Sequence, residues 1–204
     1  MLVSALLTSM RYSLNDDKSL AFKDPELLDY VNLALNHIHQ ILIRMDSEMV
    51  RSIDTITTDD GTAYYDLPVG YWATAYVHVD GQTEPLDGPK SPSEFLKYPA
   101  AQSPGTPTMF LTDPLYIYFR PVPNAIMTIY HYYYAARALL TTASTMPWNG
   151  IFDMAVRQFV QLYALNRDEY SLETETALFT LLEKQALDIA GMRLPEYQEL
   201  DLYP

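Results

Sequence analysis

The sequence predicts an α+β fold: a four-helix bundle made of two N-terminal and two C-terminal helices, an antiparallel β subdomain inserted between the pairs, and an extended C-terminal arm. Three observations predict it. Apolar residues recur every three or four positions in residues 1–49 and again in 141–191. Between them, in 50–140, the period drops to two and turn residues punctuate it. Residues 192–204 show no period and carry two prolines. A chain of 204 residues, 49% apolar and 13% aromatic, can bury a core for one domain with an inserted subdomain.

In the first helix, Val3, Leu7, Met10 and Leu14 share one face. The segment lacks a basic stretch at its start and is broken by Ser4, Thr8 and Ser9, so it reads as an amphipathic helix rather than a signal peptide. A second helix starts at Asp24-Pro25, with Asp24 expected to cap and Pro25 at the first helical position. Its stripe runs through Val31, Leu35, Ile38, Leu42, Met45 and Met49, widened by Leu27, Ala34 and Ile41. That face is too broad for a coiled-coil seam and suits a bundle.

From Val50 the pattern alternates. "VRSIDTITTDDGTAYYDLP" reads as a hairpin about Asp59-Asp60-Gly61, and "WATAYVHVDGQTEPL" as another about Asp80-Gly81. "GPKSPSEFLKYPAAQSPGTP" is a proline-rich loop around one helical turn near Glu94–Tyr98. "TMFLTDPLYIYFRPVPNAIMTIYHYYY" supplies three strands, divided at Asp113-Pro114 and at Pro121–Asn124, the last two expected to form a hairpin. The helical period then returns through Phe152, Ala155, Val156, Phe159, Val160 and Tyr163. It continues through Leu172, Phe179, Leu182, Ala186 and Ile189, with Ser171 and Gly191 as expected caps.

The net charge is −13, acid exceeds base along the whole chain, and no basic patch occurs. Tight nucleic-acid binding draws on neutralised phosphates, so the sequence offers no means for it. No cysteine is present, which excludes disulfides and thiolate metal sites. His37 and His39 lie two apart in a helical pattern and point to different sides, so no shared metal is expected. His78 and His131 read as ordinary sheet residues. Nucleophile elbows, glycine-rich phosphate loops and calcium loops are absent. Twenty-six acidic residues leave a glycosidase-type carboxylate pair open, yet none stands in a distinctive motif. Neither a cofactor nor a catalytic residue is assigned. The most conspicuous feature is aromatic: Tyr130, Tyr132 and Tyr134 share one face of the last strand, opposite Ile129, His131 and Tyr133. With Arg120 the sole cation from Tyr116 to Ala136, base stacking is disfavoured. Sheet packing with a protein–protein interface is the preferred reading over a sugar platform.

Taken in order, "DPELLDYVNLALNHI", "GTAYYDLPVGYW", "YVHVDGQTEPL", "GTPTMFLTDPLYIYFRPVPNAIMTIYHYYYAA" and "TMPWNGIFDMAVRQFVQLYALNRDEY" resemble the head-to-tail adaptor (connector) proteins of tailed bacteriophages. The resemblance covers about residues 20–190 and rests on order and spacing. It implies a structural protein with no turnover, located at the head–tail junction of the virion after synthesis in the host bacterial cytoplasm, with no membrane association. It implies a homo-oligomeric ring, a dodecamer, under the portal protein, with a downstream tail component docked below and DNA passing through the lumen without sequence-specific binding. It also implies a C-terminal arm reaching the portal, with Leu194, Pro195, Tyr197, Leu200 and Tyr203 as anchors; the protein–protein interface read from Tyr130, Tyr132 and Tyr134 would then be a subunit or tail interface. Two alternatives stay open at this level: a virion peptidoglycan or glycan hydrolase, and a tail-tube gatekeeper or head-completion protein of similar architecture.

Overall fold

The computed structural model describes residues 1–16, 18–98, 104–166 and 172–191. It is α+β, and the chain divides into two compact units, Val50–Ala136 and the remainder on either side of it.

The flanking unit contains α1 (Val3–Ser13), α2 (Asp24–Arg44), α4 (Asp153–Leu165) and α5 (Leu172–Gly191). In α2 the stripe Leu27, Val31, Ala34, Leu35, Ile38, Ile41 and Leu42 is fully buried. Each large side chain among these is worth roughly 1.5–3 kcal/mol relative to exposure. This stripe packs on α4 and α5, which also pack on each other; α1 lies against α2 and α4. Both N-terminal helices stop by the same device. Asn15 and Asp46 take a left-handed backbone, at φ 53° each. The amides of Asp16 and Ser47 then reach back to the carbonyls of Arg11 and Leu42, a Schellman closure.

Asp24 does not cap α2. Lys23 holds the cap position without a side-chain bond, and Asp24 is the first helical residue. Its carboxylate accepts Arg11, whose guanidinium also donates to Asp16 and to the Phe22 carbonyl. Ser171 lies outside the described residues, and Gly191 closes the described part of α5 as a helical residue.

The Val50–Ala136 unit contains β1 (Arg51–Thr57), β2 (Tyr64–Asp66), β3 (Tyr71–Val79), α3 (Pro92–Phe95), β4 (Met109–Thr112), β5 (Tyr116–Arg120) and β6 (Thr128–Ala135). The strands form two antiparallel sheets, ordered β1-β6-β3 and β2-β5-β4. Their inward faces share one core: Ile56, Val77, Val79 and Ile129 from the first sheet meet Phe110, Ile117 and Phe119 from the second, with Leu86 beside them. The unit is a small sandwich.

None of the three hairpins expected from local sequence, about Asp59–Gly61, Asp80-Gly81 and Pro121–Asn124, forms between named strands; β4 and β5, divided at Asp113-Pro114, pair instead. β1 pairs with β6 rather than β2, and β2 pairs with β5. The turn after β1 and the proline corner Pro121–Asn124 each carry the chain from one sheet to the other. The two crossovers are tied together: Thr58 bonds the backbone of Ala125 and Met127, and Gly61 donates to the Pro123 carbonyl. The Asp80-Gly81 turn folds the chain back on β3 through a Leu86 amide to Val77 carbonyl bond, without a second strand. α3 begins two residues before the expected turn, because Ser91 and Glu94 form a reciprocal capping box.

Candidate functional site

The outward face of β1-β6-β3 is the first candidate surface. Register places Ile53 opposite Tyr132, and Tyr132 opposite Tyr76 on β3. The Tyr76 and Tyr132 rings stack at 4.2 Å and 18°, and the Arg51 guanidinium lies 5.6 Å from the centre of the Tyr76 ring. Ile53 is 60% exposed, and Trp72, at an irregularity in β3, is 51% exposed. Tyr130 and Tyr132 are half-buried. Tyr134 shares this face by register but is 6% exposed, so it adds nothing to an open surface. Among the residues that register places on this face, none is Asp or Glu. Asp54 turns inward, opposite His131.

The outward face of β2-β5-β4 carries a second tyrosine group that the sequence reading did not single out. Tyr64 sits opposite Tyr118, and Asp66 opposite Tyr116. Ring centres lie 5.2 Å apart for Tyr64–Tyr116 and 5.9 Å for Tyr64–Tyr118. Tyr64 is 53% exposed. Asp113 fixes the group from below. It accepts the amides of Leu115 and Tyr116 and the Tyr118 hydroxyl, and these bonds, the Leu115 amide foremost, hold its carboxyl below the usual range. The period-two spacing of Tyr116 and Tyr118 was a usable signal. Tyr64 could be added only once the β2–β5 pairing was known.

His131 is fully buried beneath the first face. Its Nε2 lies 2.9 Å from the Thr74 hydroxyl, and its ring lies between Tyr71 and Tyr133. Burial drives its pKa down to about 4, against an opposing pull from the Asp54 carboxylate. The imidazole is therefore neutral at pH 7. His78 donates from Nε2 to the Gln82 carbonyl and pins the Asp80-Gly81 turn. His37 and His39 face different neighbours: His37 meets Phe179 of α5, and His39 stacks over Trp148.

Among the described residues no group of three or more His, Asp or Glu is placed to hold a metal, and no helix is long and apolar enough to cross a membrane. A groove along Gly81–Asp87 and Thr108 contains Glu84 and Asp87 but no tyrosine, and the Asp87 carboxylate is bound by Lys90 at 2.6 Å. That is not the arrangement of two facing carboxylates around a sugar. The arm residues Leu194, Pro195, Tyr197, Leu200 and Tyr203 lie outside the described residues.

The described surfaces are suited to packing against protein. Residues 1–198 match the family model of the SU10 adaptor protein, and the chain belongs to this family of phage head-to-tail adaptors. No curated protein matches it. Membership makes the chain a viral structural protein, a component of the virion, and implies contact with portal and tail components.

Proposed function

We propose that the chain assembles as a ring, a dodecamer, beneath the portal at the head–tail junction, where it extends the DNA channel and offers the tail its docking surface. The observation that carries this reading is the family match over residues 1–198. In it, α1, α2, α4 and α5 act as a four-helix bundle forming the ring wall, and the β subdomain projects toward the tail or neighbouring copies. Tyr130 and Tyr132 lie at that interface. The net charge of −13 supports a lumen that repels phosphate, so DNA slides during packaging and ejection. The mechanism is association without turnover.

The arm is proposed to reach the portal through Leu194, Pro195, Tyr197, Leu200 and Tyr203, gaining order as it binds. Light scattering over rising concentration, with and without portal, tests the assembly: a multi-subunit species is expected, and a strictly monomeric chain that ignores the portal overturns it. Truncation after Met192 should abolish portal binding while helical circular dichroism is retained. Unchanged portal binding would remove the arm from the mechanism.

A further inference from the structure

We infer that the outer edge of β1 takes up an extended strand from another protein, with a lysine or arginine of that strand beside Asp54. β1 is the edge of its sheet, and its seven residues pair with β6 without a register shift. Antiparallel neighbours turn their backbone groups alternately toward and away from each other. The Thr58 amide donates to the Met127 carbonyl, and the Thr128 carbonyl, one residue on, accepts the Asp80 amide on the β3 side. Alternation from these two bonds turns the amides and carbonyls of Ile53, Thr55 and Thr57 away from β6. Among the described residues no other segment bonds to these groups. All three residues are exposed.

The other edges are closed. β3 has two irregularities, and its Val77 carbonyl accepts the Leu86 amide. Asp87 bridges to Met109 along β4 and exchanges a bond with Phe110, while β2 is three residues long. An open row of donors and acceptors is a template for another strand, and folded proteins ordinarily blunt it with proline, lysine, a bulge or a covering segment. β1 reads RSIDTIT, with neither proline nor lysine, and its Ile and Thr residues favour extension.

Asp54 decides the chemistry of the occupant. It lies half-buried on the inward side of this edge, opposite His131, and among the described residues its carboxylate makes no hydrogen bond or ion pair. His131 is neutral at pH 7 and offers it no charge. An added strand sets an inward side chain of its own ~5 Å from Asp54. An acid there is repelled, whereas a lysine or arginine gains a partly desolvated partner. A second copy fits less well. It carries the same net charge of −13, and with its other edges closed it offers only β1, so the contact ends at a two-fold pair. Setting that pair aside rests on the ring proposed above; the open edge does not.

The full chain is titrated with two synthetic peptides of seven residues, the length of β1. Both alternate valine and threonine, and they differ at the centre, lysine in one and glutamate in the other. Amide exchange is read residue by residue by NMR. The lysine peptide should bind roughly fivefold tighter than the glutamate peptide. It should also protect the amides of Ile53, Thr55 and Thr57, which exchange freely in the isolated chain. Thr55→Pro removes an amide that β6 does not use, so binding should be lost while circular dichroism is retained. Asp54→Lys should reverse the preference between the peptides, and it keeps the edge testable if the proline variant fails to fold. Binding of neither peptide, or protection of these amides in the isolated chain at low concentration, overturns the inference. Equal binding of both peptides overturns the basic partner. Protection that grows with chain concentration and needs no peptide assigns the edge to a second copy and overturns the choice of another protein. A chain that stays monomeric with and without portal overturns the ring, and the peptide result still decides the edge.

Discussion

Burying neutral His131 makes the stability of the sandwich depend on pH in a calculable way. Above its ordinary value of 6.5 the imidazole is neutral in folded and unfolded chains, and it contributes no slope. Between 6.5 and about 4 the unfolded chain takes up a proton that the folded chain refuses. Stability then falls by about 1.4 kcal/mol per pH unit, and the loss levels off once the folded form also titrates. From pH 7.5 to 5.0 the expected loss is ~2 kcal/mol, and the full gap corresponds to ~3.4 kcal/mol. His131→Gln keeps a polar partner for Thr74 and cannot titrate, so comparing it with the parent cancels the other acids and histidines. Urea unfolding followed by Trp72 fluorescence, in a Trp148→Phe background, reads the sandwich unit. If parent and variant lose stability equally between pH 7.5 and 5.0, the assignment of His131 as a buried neutral base is refuted.

Asn32 completes a second buried network: its side chain brackets Leu140 like a strand partner and accepts Arg137. Asn32→Ala strands these groups and should cost ~2–4 kcal/mol in urea unfolding; Asn32→Asp, which keeps the acceptors, should recover part of it. Asp16 accepts the Ala21, Phe22 and Leu20 amides and the Arg11 guanidinium, which together hold its carboxyl below the ordinary value of 3.8 despite burial. Its contribution is present above that value and is lost as pH falls through the folded pKa. Asp16→Asn should therefore unfold more easily at pH 7 than the parent, with the difference fading below about pH 3.8 as the parent carboxyl protonates. Phe119→Ala, at a fully buried core position, should cost about 3–5 kcal/mol by chemical denaturation. Gly88→Ala would place a Cβ 2.6 Å from the Phe110 carbonyl oxygen, and should destabilise the same unit by about 1–3 kcal/mol.

Local pattern placed the helices and most of the strands. The stripes of α1, α2 and α4 follow largely from spacing, because a helix buries what recurs at its own period. Leu14, Met45, Met49 and Tyr163 are marked by spacing but only partly buried, α2 stops at Arg44, and Leu6 is buried without being marked. Alternation likewise separated Ile129 and His131 from Tyr130 and Tyr132 before any pairing was known. Helix ends were less legible. Asn15 and Asp46 terminate helices through a left-handed backbone that other residues can also supply, and Asp24 was drawn from a capping role by an arginine thirteen residues away.

Strand partners depended on the folded chain. Asp59-Asp60-Gly61 and the proline corner suit hairpins locally, yet β1 and β6 join across more than seventy residues and leave both turns as crossovers. Local chemistry specifies that the chain turns. Which strand it meets depends on where two apolar faces find a common core, and Phe110, Ile117 and Phe119 supply that core from a different sheet. The β2–β5 pairing brought Tyr64 beside Tyr116 and Tyr118, and in the folded chain Tyr134 is buried although its parity is that of Tyr130 and Tyr132. Side-chain parity along a strand is a property of sequence. Exposure of a face depends on what packs over it, and that is set by the folded chain.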